Sequence, residues 1–244
     1  NYRSLRQVET KWFDFGHFRI SCQFNPGRIR SSAADTSVRA VGARPCFLCE
    51  GNRPPEQAGI PFGEDFIILA NPYPIFPYHL TIPSLRHIPQ HIEDHIGTFL
   101  KLGLALQEFT LFYNGPQCGA SAPDHFHFQA GIRDLLPVEE ELEQLLAHHA
   151  EVVSDKGPVR IWAVENYLRR FVLLQSRDAE LLTASIREVI NSLEKRDQDE
   201  PMINMVSWID QSSWNILIFP RALQRPFQYF ADDPEKLVVS PAAV

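Results

Sequence analysis

Asn114-Gly-Pro-Gln-Cys-Gly-Ala-Ser-Ala-Pro-Asp-His-Phe-His-Phe-Gln-Ala-Gly131 is the stretch from which the rest of the chain is read. At its end His125, His127 and Gln129 alternate with Phe126 and Phe128. A period of two belongs to a strand, so the three polar side chains share one face and the phenylalanines go into the other. Gly115, Gly119, Ala120, Ser121 and Pro123 make the approach a loop of small residues, whose backbone N–H groups are open to phosphate oxygens. Asn114 closes the apolar run 109–113 just ahead of that loop. Loop and polar face together mark a functional site rather than a merely solvated sheet surface.

Upstream, Cys46-Phe-Leu-Cys49-Glu-Gly-Asn52 offers two thiolates at a spacing that suits one tetrahedral zinc, which needs two more ligands. A redox pair is the competing reading, but the strand-to-helix setting of thioredoxins is missing around it. Residues 65–70 are continuously apolar, a buried strand, and lead into Asn71-Pro-Tyr-Pro-Ile-Phe-Pro-Tyr78. Proline stiffens that connection and removes ladder donors, which leaves an aromatic-lined edge suited to a flat base. Ile92, Ile96, Phe99, Leu100, Gly103, Leu104 and Leu106 recur at helical spacing and predict a helix over 91–107. A strand over 109–114 follows. Residues 12–24, rich in aromatics, read as one further strand.

Past Gly131 the composition turns acidic. Residues 134–151 predict a helix with Glu139, Glu140, Glu141 and Glu143 near its start, where the helix dipole favours negative charge. Strands over 159–164, 171–175, 202–208 and 215–219, with an amphipathic helix over 178–195, repeat the first half's grammar without a second His-x-His. The expected organisation is a catalytic half over 1–133, an acidic helical connector over 134–157, and a second half over 158–244. Arg221 and Arg225 follow the last of these strands and suit phosphate capture.

His125-x-His127-x-Gln129 and Cys-x-x-Cys-x-Gly-Asn resemble the histidine-triad (HIT-like) superfamily. The likeness is to its nucleotidyltransferase branch, which includes galactose-1-phosphate uridylyltransferase, diadenosine tetraphosphate phosphorylase and GDP-galactose phosphorylase. Asn204, Trp214 and Pro220-Arg221 resemble the corresponding segment of the phosphorylases. The resemblance implies an α+β fold of HIT-like antiparallel sheets with covering helices, in two halves of which only the first is catalytic. It assigns His127 as nucleophile and Gln129 to the transferred phosphate. Arg28, Asn71, Asn114, Gly119, Ser121, Arg221 and Arg225 become substrate-binding residues. A structural Zn2+ would be held by Cys46, Cys49, His125 and His79, with His87 competing for the fourth place.

The reaction implied is ping-pong transfer on a nucleotide sugar or dinucleoside polyphosphate, with phosphate or a sugar phosphate as acceptor and a homodimer possible. Gln129 stands where the hydrolases carry a third histidine, which disfavours hydrolysis. A non-catalytic nucleotide sensor that has kept the pocket is the alternative of another class.

The bulk numbers agree with this. In 244 residues, 44% are hydrophobic and 22% charged, ordinary for a globular chain. A net charge of −7 argues against general nucleic-acid binding, which rests on many basic contacts to phosphates. Local arginines can still serve a phosphate ligand. No apolar run approaches the roughly 20 residues a membrane span needs. Four cysteines do not make a disulfide scaffold, and with no signal segment visible a cytoplasmic location is expected.

Overall fold

A computed structural model describes residues 2–16, 18–26, 37–155, 157–196, 199–232 and 234–236. The alternation around the histidines is what the backbone obeys. Phe126 and Phe128 are fully buried on one face, stacked among Phe66, Phe99 and Tyr113. His127 and Gln129 lie on the other face of β7 (His127–Ile132). Strand β6 (Phe109–Asn114), apolar and buried on both faces, pairs with β7 from Phe109 opposite Ile132 to Phe112 opposite Gln129. On the far side of β7 comes β5 (Leu80–Pro83), then β4 (Phe66–Ala70) and the edge strand β3 (Gly59–Phe62).

The second half mirrors that order. Strand β11 (Ile203–Asp210) pairs with β12 (Ser213–Pro220), followed by β10 (Phe171–Ser176), β9 (Arg160–Val164) and the edge strand β8 (Ala150–Ser154). The halves are joined because β6 and β11 are themselves antiparallel neighbours, Asn114 opposite Asn204 and Leu111 opposite Ser207. Where separate sheets were expected, one ten-stranded sheet runs β3-β4-β5-β7-β6-β11-β12-β10-β9-β8. It is an α+β arrangement of antiparallel strands.

Helices α2 (Ile96–Ala105) and α4 (Ala179–Ser192) cover one face of the sheet, preceded in the chain by the short α1 (Val38–Gly42). Helix α2 buries Ile96, Phe99, Leu100 and Leu102, and α4 buries Leu182, Ile186 and Ile190, into one shared core. Asp178 caps α4 by accepting from the N–H groups of Glu180 and Leu181. Helix α3 (Pro137–His148) covers part of the opposite face through Val138, Leu142 and Leu145, against Phe112, Val206, Trp208 and Leu217.

Three boundaries differ from expectation. The acidic helix stops at His148, and residues 150–154 form β8, an edge strand whose exposed Val152 and Val153 gave no inside-outside alternation. The helix over 91–107 is regular only from Ile96, after a 3-10 turn over Glu93–His95. The single strand over 12–24 is instead a hairpin, β1 (Glu9–Asp14) with β2 (Arg19–Phe24), broken at Gly16 with φ +84°. This ribbon stands off the main sheet, tied to α3 where the Arg19 N–H donates to Glu141 and its guanidinium pairs with Glu140.

Candidate active site

Beyond Phe112 and Gln129 the β6–β7 ladder stops and residues 115–126 leave the sheet as a loop. The gap between the strands is bridged by one buried side chain. Gln90 Nε2 donates to the carbonyls of Asn114 (3.0 Å) and His127 (2.9 Å), and Gln90 Oε1 accepts from the His127 N–H (2.8 Å). A glutamine amide thus supplies the donors and acceptor that a neighbouring strand would otherwise provide. Behind it, the Tyr113 hydroxyl lies 2.6 Å from Glu200 Oε1 and 3.0 Å from the Gln90 carbonyl, and Glu200 Oε2 accepts from the Ile92 N–H. Burial pushes the Glu200 carboxyl up to about 7, against the lowering effect of its two donors. Gly119 turns the loop with φ +100°, a conformation other residues adopt only under strain.

His127 is buried, with Nδ1 2.9 Å from the His125 carbonyl. Only a protonated Nδ1 satisfies that carbonyl, so the tautomer leaves the Nε2 lone pair free. Burial pushes the imidazole down to about 4, beyond what the His125 carbonyl restores, so the ring is neutral near pH 7. Gln129 faces the same way, and its amide is oriented by His79. The Ile75 N–H donates to His79 Nδ1 (3.2 Å), so Nε2 carries the proton and donates to Gln129 Oε1 (3.0 Å). No hydrogen bond engages the Gln129 NH2 among the described residues.

His79 was the preferred fourth metal ligand, and its imidazole lies elsewhere, consumed by Gln129 and the Ile75 N–H. The structure gathers Cys46, Cys49, His125 and the competing His87, whose ligand atoms all lie within 4.8 Å of one another. Cys46 Sγ is 3.3 Å from His125 Nδ1, and Cys49 Sγ is 3.2 Å from His87 Nδ1. Outer partners fix both rings: His125 Nε2 donates to the Ser84 carbonyl (2.8 Å), and His87 Nε2 lies 3.4 Å from Asp124. Both Nδ1 atoms therefore face the thiols as lone pairs, which is the donor set and outer shell of a closed tetrahedral site. This Cys2His2 group could hold a metal ion.

The other expected residues are distributed unevenly. Asn114 is buried, its Oδ1 accepting from Asn204 Nδ2 (2.6 Å), while its own Nδ2 has no partner among the described residues. Arg221 Nη1 donates to Asn204 Oδ1 (2.6 Å), so the second half reaches the loop's first residue through two amides and a guanidinium. Asn71 serves its own turn, accepting from the Tyr73 N–H and donating to Thr81. It holds the proline-rich connection, whose Phe76 lies against β7 where Gly131 lacks a Cβ. The Ser121 carbonyl accepts from Arg44 (2.5 Å), whose guanidinium also lies over Phe47, so the Cys-x-x-Cys segment is fastened to the loop. Arg225 lies over the Tyr229 ring. Arg28 falls outside the described residues. Gln90, Glu200 and Arg44 had no signal in the sequence beyond their polarity, since their roles come from tertiary placement.

The comparisons with known proteins agree with this architecture. No curated protein matches the sequence. Among solved structures, a DUF4931 family protein from Bacillus cereus superposes with a TM-score of 0.52 at 15% identity, over 74% of this chain and 94% of that one. Yeast Ap4A phosphorylase superposes with a TM-score of 0.53 at 15% identity, over 88% of this chain and 72% of that one, and has also been solved with Ap4A and with AMP. A uridylyltransferase mutant gives 0.50 at 16% identity, over 74% and 80%. These likenesses show a fold shared with those proteins, the HIT-like fold that the sequence motifs lead one to expect. Residues 1–132 match the sequence profile described as domain of unknown function DUF4922, so the chain is a member of the DUF4922 family on a HIT-like fold.

Proposed function

We propose that the protein is a nucleotidyltransferase or phosphorylase that passes a nucleotidyl group through His127. The observation that carries this reading is the imidazole itself, buried and held by the His125 carbonyl so that Nε2 is the free lone pair. In the first step Nε2 attacks the α-phosphorus of a nucleotide sugar or dinucleoside polyphosphate. The N–P bond forms, the P–O bond breaks, and the bond pair leaves with the phosphate or sugar-phosphate oxygen. Positive charge gained by the ring is spread toward Nδ1–H and stabilised by the carbonyl it already faces. In the second step an oxygen of phosphate or of a sugar phosphate attacks, and the N–P pair returns to Nε2.

Charge on the phosphorus oxygens would be met by the backbone N–H groups of 119–121, Ser121, the Gln129 NH2, Asn114 Nδ2 and the arginines Arg28, Arg221 and Arg225. Asn71 and the aromatic connection it anchors would border the base. Gln129 cannot carry a proton to or from water, so the intermediate waits for its acceptor. Cys46, Cys49, His87 and His125 would hold a structural Zn2+, whose chemistry there is to fix the first residue of the histidine pair. Ap4A and AMP, bound in the solved yeast Ap4A phosphorylase, belong to this substrate class.

Intact-protein mass after incubation with a panel of nucleotide sugars and dinucleoside polyphosphates tests it. With donor and no acceptor the mass should rise by one nucleoside monophosphate, attached by an acid-labile, base-stable bond. His127→Ala should remove the adduct entirely, and full labelling of that variant would overturn the assignment.

A further inference from the structure

The connection from β4 to β5, residues 71–79, ends on two neighbours of opposite character. Tyr78 is exposed and holds φ at +55°, a left-handed conformation that a bulky side chain adopts only under strain. The next residue, His79, is completely buried. Strain of this kind persists where the surrounding structure over-determines the chain, and it gathers at sites with a task. Here it is borne immediately before an imidazole that is engaged at both nitrogens.

His79 is pinned on every side. Its carbonyl accepts from the Asn71 N–H (2.8 Å) and from the Tyr2 hydroxyl (2.7 Å). The rings of Phe76 and Phe112 flank it, with centroids 4.9 and 5.8 Å away. Phe76 in turn occupies the space that a Cβ at position 131 would need, so Gly131 makes room for it. A ring packed this way keeps one orientation.

The direction of its hydrogen bonds is written by the backbone. A peptide N–H can only donate, so the Ile75 N–H makes His79 Nδ1 an acceptor. The ring is then neutral, its proton is on Nε2, and that proton requires an acceptor on Gln129. Of the two prongs of a carboxamide, only the oxygen accepts. Gln129 is therefore held with Oε1 toward His79 and its NH2 on the other prong, on the half-buried face that it shares with His127. A glutamine without such a partner can turn its amide over and present either prong.

We infer that His79 is a positioning residue, which locks the Gln129 amide with its NH2 toward the ligand and makes that corner of the site a donor to an anionic oxygen. With the amide reversed, Oε1 would face the same oxygen, lone pair against lone pair. Choosing between the two orientations is thus a choice in favour of anions. This deepens the nucleotidyl-transfer reading and rests on it for the identity of the anion as a phosphate.

Side-chain amide resonances of the isotope-labelled full chain test the lock, the Gln129 pair being identified by its loss in Gln129→Leu. A glutamine amide nitrogen can stand where histidine Nε2 stands, so His79→Gln keeps a donor for Oε1. His79→Asn keeps an acceptor for the Ile75 N–H but does not reach Gln129, and His79→Leu keeps neither bond. The Gln129 pair should move or split in His79→Leu and His79→Asn, and stay near its parent position in His79→Gln. Because His79→Asn retains the Ile75 contact, a His79→Leu chain that fails to fold does not decide the matter. Calorimetric affinity for AMP and for inorganic phosphate should fall about tenfold in His79→Asn and His79→Leu, the scale of one charge-assisted hydrogen bond. In His79→Gln it should stay within about threefold of the parent, less than half of that loss on a free-energy scale. A Gln129 pair indifferent to His79→Asn overturns the lock. Equal anion affinity in all variants, or a parent that binds neither anion, overturns the donor role. Phosphate affinity in the expected order, with no adduct on His127 from any nucleotide, supports the lock and removes the transfer reading instead.

Discussion

The connection from β6 to β7 and the connection from β11 to β12 occupy the same place in the two halves and could hardly be built more differently. In the second half Ile209 still faces Trp214 and Asp210 faces Ser213, and the chain turns through Gln211 and Ser212, both at positive φ, as a tight hairpin does. In the first half pairing stops at Phe112 and Gln129, and residues 115–126 leave the sheet. The hairpin closes its strands with its own backbone. The open end relies on parts from elsewhere: Gln90 between the strands, Glu200 behind Tyr113, Arg44 on the loop, and the Cys46, Cys49, His87 and His125 group at the strand entrance. The contrast teaches that the sheet supplies the frame twice, while a site arises only where the ladder is interrupted and the resulting polar ends are satisfied from outside.

If the metal group is what closes the open end, removing it should loosen one half and spare the other. Cys46→Ser or His87→Ala should lose about one zinc per chain and lower the melting temperature by on the order of 10 °C. Hydrogen exchange should then accelerate in β5 and β7 and stay slow in β10 and β12. His79→Ala should keep its metal, since that imidazole serves Gln129. Uniform destabilisation of both halves would erase the proposed division of labour, and loss of zinc in His79→Ala would return that residue to the ligand set.

The chemistry of the open end can be sharpened at Gln129. Gln129→His introduces an imidazole with an ordinary pKa of about 6.5 beside the phosphate that the proposed reaction would transfer. Proton transfer by a positioned side chain is worth about 10²–10⁴-fold, so release of nucleoside monophosphate to water should become measurable as transfer to the acceptor falls. The product ratio is the readout. Both reactions falling together would reduce Gln129 to a residue that only packs.

The smallest expected effect concerns the residue that the second half lends to the open end. Glu200 is raised to about 7 by burial, above its unfolded value, so its contribution to stability is complete below about pH 4.5 and is lost as pH rises through 7. The loss should be on the order of 2 to 3 kcal/mol in denaturant titrations across that window. Glu200→Gln should flatten the profile. An unchanged slope in the variant would place the titration on another group.

What could be read from the sequence follows from how local its cause is. The alternation of His125 to Gln129 forces a strand with two faces, and Phe126 and Phe128 are buried as that pattern demands. The Cys-x-x-Cys spacing places two ligands without reference to the rest of the fold. The histidine that joins them was ambiguous because His79 and His87 both flank β5 in the chain. Only the direction in which each ring leaves the strand separates them. His79 points along the sheet face to Gln129, and His87 lies beyond the strand beside Asp124. Gln90 was silent for a related reason, since it bridges two strands that lie well further along the chain. The merging of two sheets into one was equally hidden, because β6 and β11 are both continuous apolar runs and neither announces its neighbour.

That merging has a mechanical consequence. Asn114 and Asn204 face each other inside one ladder, and the hydrogen bond between their side-chain amides lies where a hinge would otherwise sit. A sheet continuous across the middle behaves as a beam, so the two halves cannot swing shut on a substrate without tearing their central strands apart. For the proposed reaction, admission and release would then fall to the small parts at the beam's open end, chiefly the loop 115–126 and the connection 71–79.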